Sequence, residues 1–224
     1  MIDLLEKVKK FVNQSFDNTL PLPNRSGAEL NARACSHPST LAPLVPARLI
    51  TDPLMKGRGE VMEHFEKTLS WLKQLNPQAD EALQIAAYAH DIERAFRANQ
   101  KASHKFPNEA ELTKHQEQGA KMMYKYLLNN GADEKTAAKV KTLIEKHEIS
   151  GTDDQNLLKD ADSLSYFETS AYHHINAIKT KGFLKEDVKN KFDWMFDRIS
   201  SAEAKKLSQP LYEKAINSLN LNVI

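Results

Sequence analysis

Residues 84–94 read QIAAYAHDIER, a run of small and apolar residues that ends in a histidine beside an aspartate. Leu83, Ile85, Ala86, Ala87, Tyr88 and Ala89 leave almost no polar face. The spacing predicts a helix from Asp80 to Arg97 at the centre of an all-α body. His90 and Asp91 then fall at or near its buried end. Stripping the partner from a buried ion pair costs about 3–5 kcal/mol, so such groups hold each other or a metal. Neighbours on a helix point about 100° apart. The two side chains therefore do not face each other, but both can reach a cation placed between them.

Outward from that helix the chain reads as helix after helix. Ile2, Leu5, Val8, Phe11 and Val12 repeat at helical spacing over residues 2–15. Val61, His64, Phe65, Leu69, Leu72 and Leu75 form a second stripe, which Asn76-Pro77 stops. Asn108 with Glu111 predicts a cap for another helix that Gly131 ends, and Asp133 caps the next one to His147. A long helix from Gln155 carries LLKDADSLSYFETSAYHHINAI, and two more follow at 185–199 and 201–219, the last capped by Ser200 with Glu203. Between Asp17 and Gly59 fall Pro21, Pro23, Pro38, Pro43, Pro46 and Pro53, so this lead-in is expected to be irregular, a strap over the core or a wall of a site. The expected division is 1–58, an N-terminal helix and Pro-rich strap, and 59–224, a helical bundle, forming one globular unit.

Composition narrows the function classes. Lys plus Arg number 31 against 30 Asp plus Glu, with no long like-charge block, which argues against a nucleic-acid polymer as partner or a polybasic membrane anchor. The first residues alternate apolar and charged where a signal peptide needs an unbroken apolar core, and no apolar run is long enough to span a bilayer. A soluble, cytoplasmic protein is expected. The single cysteine, Cys35, excludes an intrachain disulfide and a thiolate zinc cluster, and reads as a bystander.

A metal needs more than two protein ligands. His64, His115, His147 and Asp162 supply further candidates, one on each successive helix. Taken singly, each histidine reads equally as a hydrogen-bonded core residue. Taken together, they repeat in the way bundles build metal sites, with facing helices contributing inward side chains.

The ordered set MEHFEKTL, AAYAHDIE, TKHQEQGAKMMYKYLLNNG, IEKHE and LLKDADSLSYF resembles the HD superfamily of metal-dependent phosphohydrolases over residues 56–178. The resemblance implies an HD-domain-like helical bundle. It also implies that His64, His90, Asp91 and Asp162 hold a first divalent ion (Mn, Mg, Fe, Ni, Co or Zn). Asp162 rather than Asp160 matches the family's terminal metal aspartate. His115 and His147 match histidines that bind a second ion in some branches and substrate phosphate in others, so one or two ions per chain are implied. The implied reaction is hydrolysis of a phosphate ester of a small molecule such as a nucleotide, with Asp91, His115 and His147 in catalytic roles. Arg94, Arg97, Lys101 and Lys105 stand just beyond the pair, where they could neutralise charge on a phosphate. Arg94 is favoured because it lies one turn from His90 and Asp91.

Departures narrow the substrate. The Glu-Asp pair of branches that hydrolyse hyperphosphorylated guanine nucleotides and the Gly-Tyr-Pro signature of cyclic-dinucleotide branches are both missing from the sequence. Glu93 reads either as a general acid or base or as a surface residue paired with Arg97. His173 and His174 lie too far along their helix to share the ion and read as core or rim. Two other functions stay open: a di-iron oxygenase on the same scaffold, and a noncatalytic metal- or nucleotide-binding module. The oligomeric state is not legible.

Overall fold

The computed structural model describes residues 3–16, 57–96 and 108–221. Cys35, Arg97, Lys101, Lys105 and all but the last residues of the Pro-rich strap lie outside them. In chain order the helices are α1 (Leu4–Ser15), α2 (Gly57–Leu75), α3 (Glu81–Ala89), α4 (Glu109–Asn129), α5 (Glu134–Glu145), α6 (Asp153–Ser165), α7 (Ala171–Lys181), α8 (Lys185–Asp197) and α9 (Ala202–Leu221). A short 3-10 helix, Ile92–Phe96, follows α3, and a π-helical segment, Tyr166–Ser170, joins α6 to α7. No strand occurs among the described residues. The fold class is all-α, as the periodicities predict.

α3 is the axis of the larger core. Ala82, Leu83, Ile85, Ala86, Ala87, Tyr88 and Ala89 are all buried, and α1, α2, α5 and α6 pack around them. Burying one large apolar side chain is worth about 1.5–3 kcal/mol. This core therefore rests on Val8, Phe65, Leu72, Leu83, Ile85 and their neighbours, all shielded from solvent. α1 docks by stacking Phe11 on Tyr126 (4.0 Å between centroids), while the Tyr126 hydroxyl donates to the Lys7 carbonyl at 2.9 Å. A second core of Tyr166, Phe167, Ile175, Phe192, Met195 and Leu219 belongs to the π segment and α7–α9.

The caps follow the sequence with two exceptions. Asp80, Asn108 and Asp133 accept the backbone N–H groups of Leu83, Glu111 and Thr136. The long predicted helix begins two residues early, at Asp153, because Thr152 and Gln155 form a reciprocal capping box. α9 is capped by Ser201, whose Oγ accepts from Ala204 N–H at 3.1 Å, and not by Ser200. Ser200 is instead tied to Asp160, which accepts the N–H groups of Ser200 and Ser201 at 2.7 and 2.9 Å.

α3 also ends earlier than its apolar run suggests. It stops at Ala89 and not at Arg97, so His90 and Asp91 sit in the turn that enters the 3-10 helix, where Arg94 N–H donates to the Asp91 carbonyl at 3.0 Å. α4 passes close to this turn at Gly119. A Cβ there would stand 3.4 Å from the His90 carbonyl oxygen and 3.5 Å from Ile144 Cγ2.

Candidate metal centre

The turn at 90–91, α2, α4, α6 and the end of α5 converge on one buried cluster. His64, His90, Asp91, His115, His147, Glu148 and Asp162 are each less than 9 % exposed. On one side, the Asp162 Oδ1 atom stands 3.1 Å from His64 Nε2 and 3.4 Å from His90 Nε2, and Asp91 Oδ2 lies 3.9 Å from His90 Nε2. On the other, Asp91 Oδ1 lies 3.0 Å from His115 Nε2 and 3.8 Å from His147 Nε2. Asp91 thus stands between two groups of donors, using a different oxygen for each.

All four imidazoles are oriented the same way. The Nδ1 atoms of His90 and His147 lie 3.0 and 2.7 Å from the carbonyls of Ala87 and Ile144, and a carbonyl can only accept. The Ser165 hydroxyl donates to the His64 carbonyl, so its oxygen accepts from His64 Nδ1, 2.8 Å away. His115 Nδ1 is bonded to the Glu93 carboxylate at 3.0 Å. With each Nδ1 carrying a proton, each neutral ring turns a bare Nε2 inward, as metal-ligating histidines do.

The electrostatics follow from this crowding. Burial raises the Asp91 carboxyl, but Arg94, His90 and His115 overwhelm that effect and hold it well below the usual range. Burial acts likewise on Asp162, and Arg198 and His90 hold it equally low. Burial pulls His90 down, yet Asp91 and Asp162 raise it to about 9, so without an ion a proton occupies the place between them. His90 Nε2 and Asp91 Oδ1 are buried and make no hydrogen bond among the described residues. Buried polar atoms left without a hydrogen bond among carboxylates and imidazoles suit a site that a cation would complete.

Three overlapping groups can therefore hold an ion: His64, His90 and Asp162; His90, Asp91 and His147; and His115, His147 and Glu148. Two imidazoles with two carboxylates suit Mn, Mg, Fe, Ni, Co or Zn without fixing which. Arg94, from the 3-10 helix, donates its Nε–H to Asp91 Oδ2 and has a side chain 20 % exposed, which places it where the cluster meets solvent.

Several site residues differ from the sequence reading or go beyond it. Glu93 is not a surface residue: it is 4 % exposed and orients His115. His173 pairs at 3.5 Å with Glu60 away from the cluster, and the His174 ring lies 5.4 Å from that of Tyr166. Glu148 was not singled out in the sequence, where its signal is adjacency to His147 in IEKHE. Arg198, which reaches both Glu148 and Asp162 from the end of α8, gives no local signal because it lies 36 residues from Asp162. Lys191 on α8, over the Trp194 ring at 4.7 Å, was also not foreseen.

These elements define an all-α protein with a buried His/Asp/Glu cluster fit for a divalent ion. Residues 51–203 match the model of the family described as "Domain of unknown function (DUF4202)", and the chain belongs to that family. No curated protein matches it. A solved structure of Bacillus subtilis YpgQ in complex with ADP is similar, with a TM-score of 0.49 and 17% sequence identity over 71% of this chain and 87% of that one. Among the described residues no helix is long and apolar enough to cross a membrane.

Proposed function

We propose that this chain is a metal-dependent phosphohydrolase that cleaves a phosphate ester of a small molecule, a nucleotide being the first substrate class to test. The observation that supports it is the set of inward Nε2 atoms, each anchored through Nδ1, around the unsatisfied His90 Nε2 and Asp91 Oδ1. His64, His90, Asp91 and Asp162 would hold the ion. When bound, it supplies Lewis acidity toward a water and a phosphoryl oxygen. The protein's own groups do the rest. Burial of the cluster excludes bulk water and strengthens each charge interaction inside it. Arg94, anchored by Asp91 at the solvent edge, presents positive charge toward an arriving phosphate. His115, fixed by Glu93, and His147 face the same space and serve turnover.

Elemental analysis of protein purified without chelator, wild type beside Asp91→Asn, tests the reading, followed by a screen of phosphate esters that includes nucleoside monophosphates. Asp91→Asn keeps the shape and removes the charge, and about 10-fold or greater loss of metal affinity is expected, the scale seen even for outer-shell changes. Full metal content in the variant, or none in the wild type, would sink the assignment. Two irons per chain with oxygen uptake and no ester hydrolysis would replace it with an oxygen-activating di-iron centre on the same residues.

A further inference from the structure

Two carboxylates on different elements divide their oxygens in the same way. Asp162 turns Oδ1 toward His64 and His90 and gives Oδ2 to Arg198. Glu148 turns Oε1 toward His147 at 3.6 Å and His115 at 4.0 Å and gives Oε2 to the same guanidinium. Arg198 is itself held on every side: its Nε–H donates to Ser163 Oγ at 2.8 Å and its plane lies 4.6 Å from the Trp194 ring. An arginine fork engaged in this way orients acids and is not a mobile counter-charge.

The inner oxygen of Glu148 belongs to a convergent set. Glu148 Oε1 and Asp91 Oδ1 both lie close to the same two nitrogens, His115 Nε2 and His147 Nε2, which are 3.3 Å apart: Asp91 Oδ1 is 3.0 Å from the first and 3.8 Å from the second, Glu148 Oε1 4.0 and 3.6 Å. Donors about 2.1 Å from a tetrahedral ion stand about 3.4 Å from one another. The separations to and between the two nitrogens run from 3.0 to 4.0 Å, and the donors, two imidazoles and two carboxylates, have the same chemistry as the His64, His90, Asp91 and Asp162 group. Asp91 Oδ1, buried without a hydrogen bond among the described residues, is the atom this arrangement leaves wanting a partner.

We propose that Glu148 is a metal ligand, the fourth donor of a second cation site with Asp91, His115 and His147, and that Arg198 is the positioning residue that aims it. This rests on the metal-dependent reading above and extends it. One guanidinium then orients a carboxylate on each side of Asp91, Asp162 on one and Glu148 on the other.

The test is metal stoichiometry. Wild type, Glu148→Gln and Arg198→Lys are titrated with Mn2+ calorimetrically after chelation and dialysis, with circular dichroism to confirm folding. Two ions in the wild type and one in Glu148→Gln are expected. Arg198→Lys keeps the charge, loses the fork and should weaken the second ion about 10-fold, the scale of an outer-shell change. Should Glu148→Gln fail to fold, Arg198→Lys still decides: it leaves Glu148 in place and disturbs its aim together with that of Asp162, so a weakening confined to the first ion overturns the role of Arg198 at the second. Two ions retained in Glu148→Gln, or unchanged affinity in Arg198→Lys, overturns the corresponding role. One ion in the wild type removes the second site while the first, lost in Asp91→Asn, stands. No ion in the wild type ends both.

Discussion

His90 and His147 make a controlled comparison inside one protein. Both rings are buried, both tie Nδ1 to the carbonyl three residues back, and their centroids lie 5.1 Å apart. Yet His90 is raised to about 9 and His147 is lowered to about 4. Burial opposes the charged form of each. For His90, Asp91 and Asp162 outweigh burial. For His147, the positive neighbours His115 and His90 add to burial, while Glu148 and Asp91 oppose it without prevailing. Glu148 is the strongest charge favouring the proton on His147, but it is also paired with Arg198 and does not offset burial and the two imidazoles. Neighbouring charge, and not depth, sets the state of a buried imidazole here.

Removing Arg198 should break the contrast most severely. Arg198→Met leaves Asp162 and Glu148 buried without their cation and should cost about 3–5 kcal/mol in urea denaturation of metal-free protein. It should also raise His147, read from its ring-proton NMR titration, because Glu148 then faces it alone. A loss below about 1 kcal/mol would show that the fork is not a structural pair.

The next effect separates the histidines by pH. His90 holds a proton in the fold that the unfolded chain, with an ordinary value of 6.5, releases first. Its contribution is complete below pH 6.5 and disappears as pH rises through about 9. His147 is neutral in the fold while the unfolded chain is protonated, so its contribution is present above pH 6.5 and is lost as pH falls toward about 4. Metal-free stability from this pair should peak near pH 6.5, with Asp91 and Asp162 adding a further loss at lower pH. His90→Gln should flatten the alkaline limb and His147→Gln the acid limb in urea midpoints measured across pH. Curves parallel to wild type in both variants would contradict the assignment of the two states.

The smallest effect concerns a buried polar atom outside the comparison. The Tyr166 hydroxyl makes no hydrogen bond among the described residues, in contrast to the anchored imidazoles. Tyr166→Phe should therefore leave stability within about 0.5 kcal/mol of wild type or raise it. A loss above about 1 kcal/mol would mean that the phenol has a partner in the folded protein.

Periodicity found most helices because their apolar faces repeat locally, and the histidines and acids that the fold gathers into one buried cluster were legible as an ordered series. It could not show that α3 stops at Ala89. The apolar run continues through Ile92, and nothing in its local pattern marks the change to 3-10 winding after Ala89. The same holds for Asp160 and Asp162, two acids of one motif with different work. One caps the turn before α9, the other faces the imidazoles, and only the folded chain separates them. Glu93 was ambiguous for a related reason, since a carboxylate beside a helix end looks alike whether it meets solvent or a buried ring. The partnership of Arg198 with Asp162 and Glu148 is long-range in both directions and leaves no pattern in a window of any length.

The π-helical segment Tyr166–Ser170 has one more consequence. It lies between Ser165, which holds His64, and Ala171, which begins the helix of the second core. A π turn takes up one residue more than an α turn, and each residue advances an α-helix by about 100°. Deleting any one residue from 166–170 would restore ordinary winding and swing everything downstream by about that angle, turning Ile175 and Ala177 off their core without altering a single ligand. The buried histidine–carboxylate cluster and the C-terminal helices are thus geared together by a count of residues. The spacing is a heritable dimension of the protein, more sensitive to an insertion or deletion than to any substitution within it.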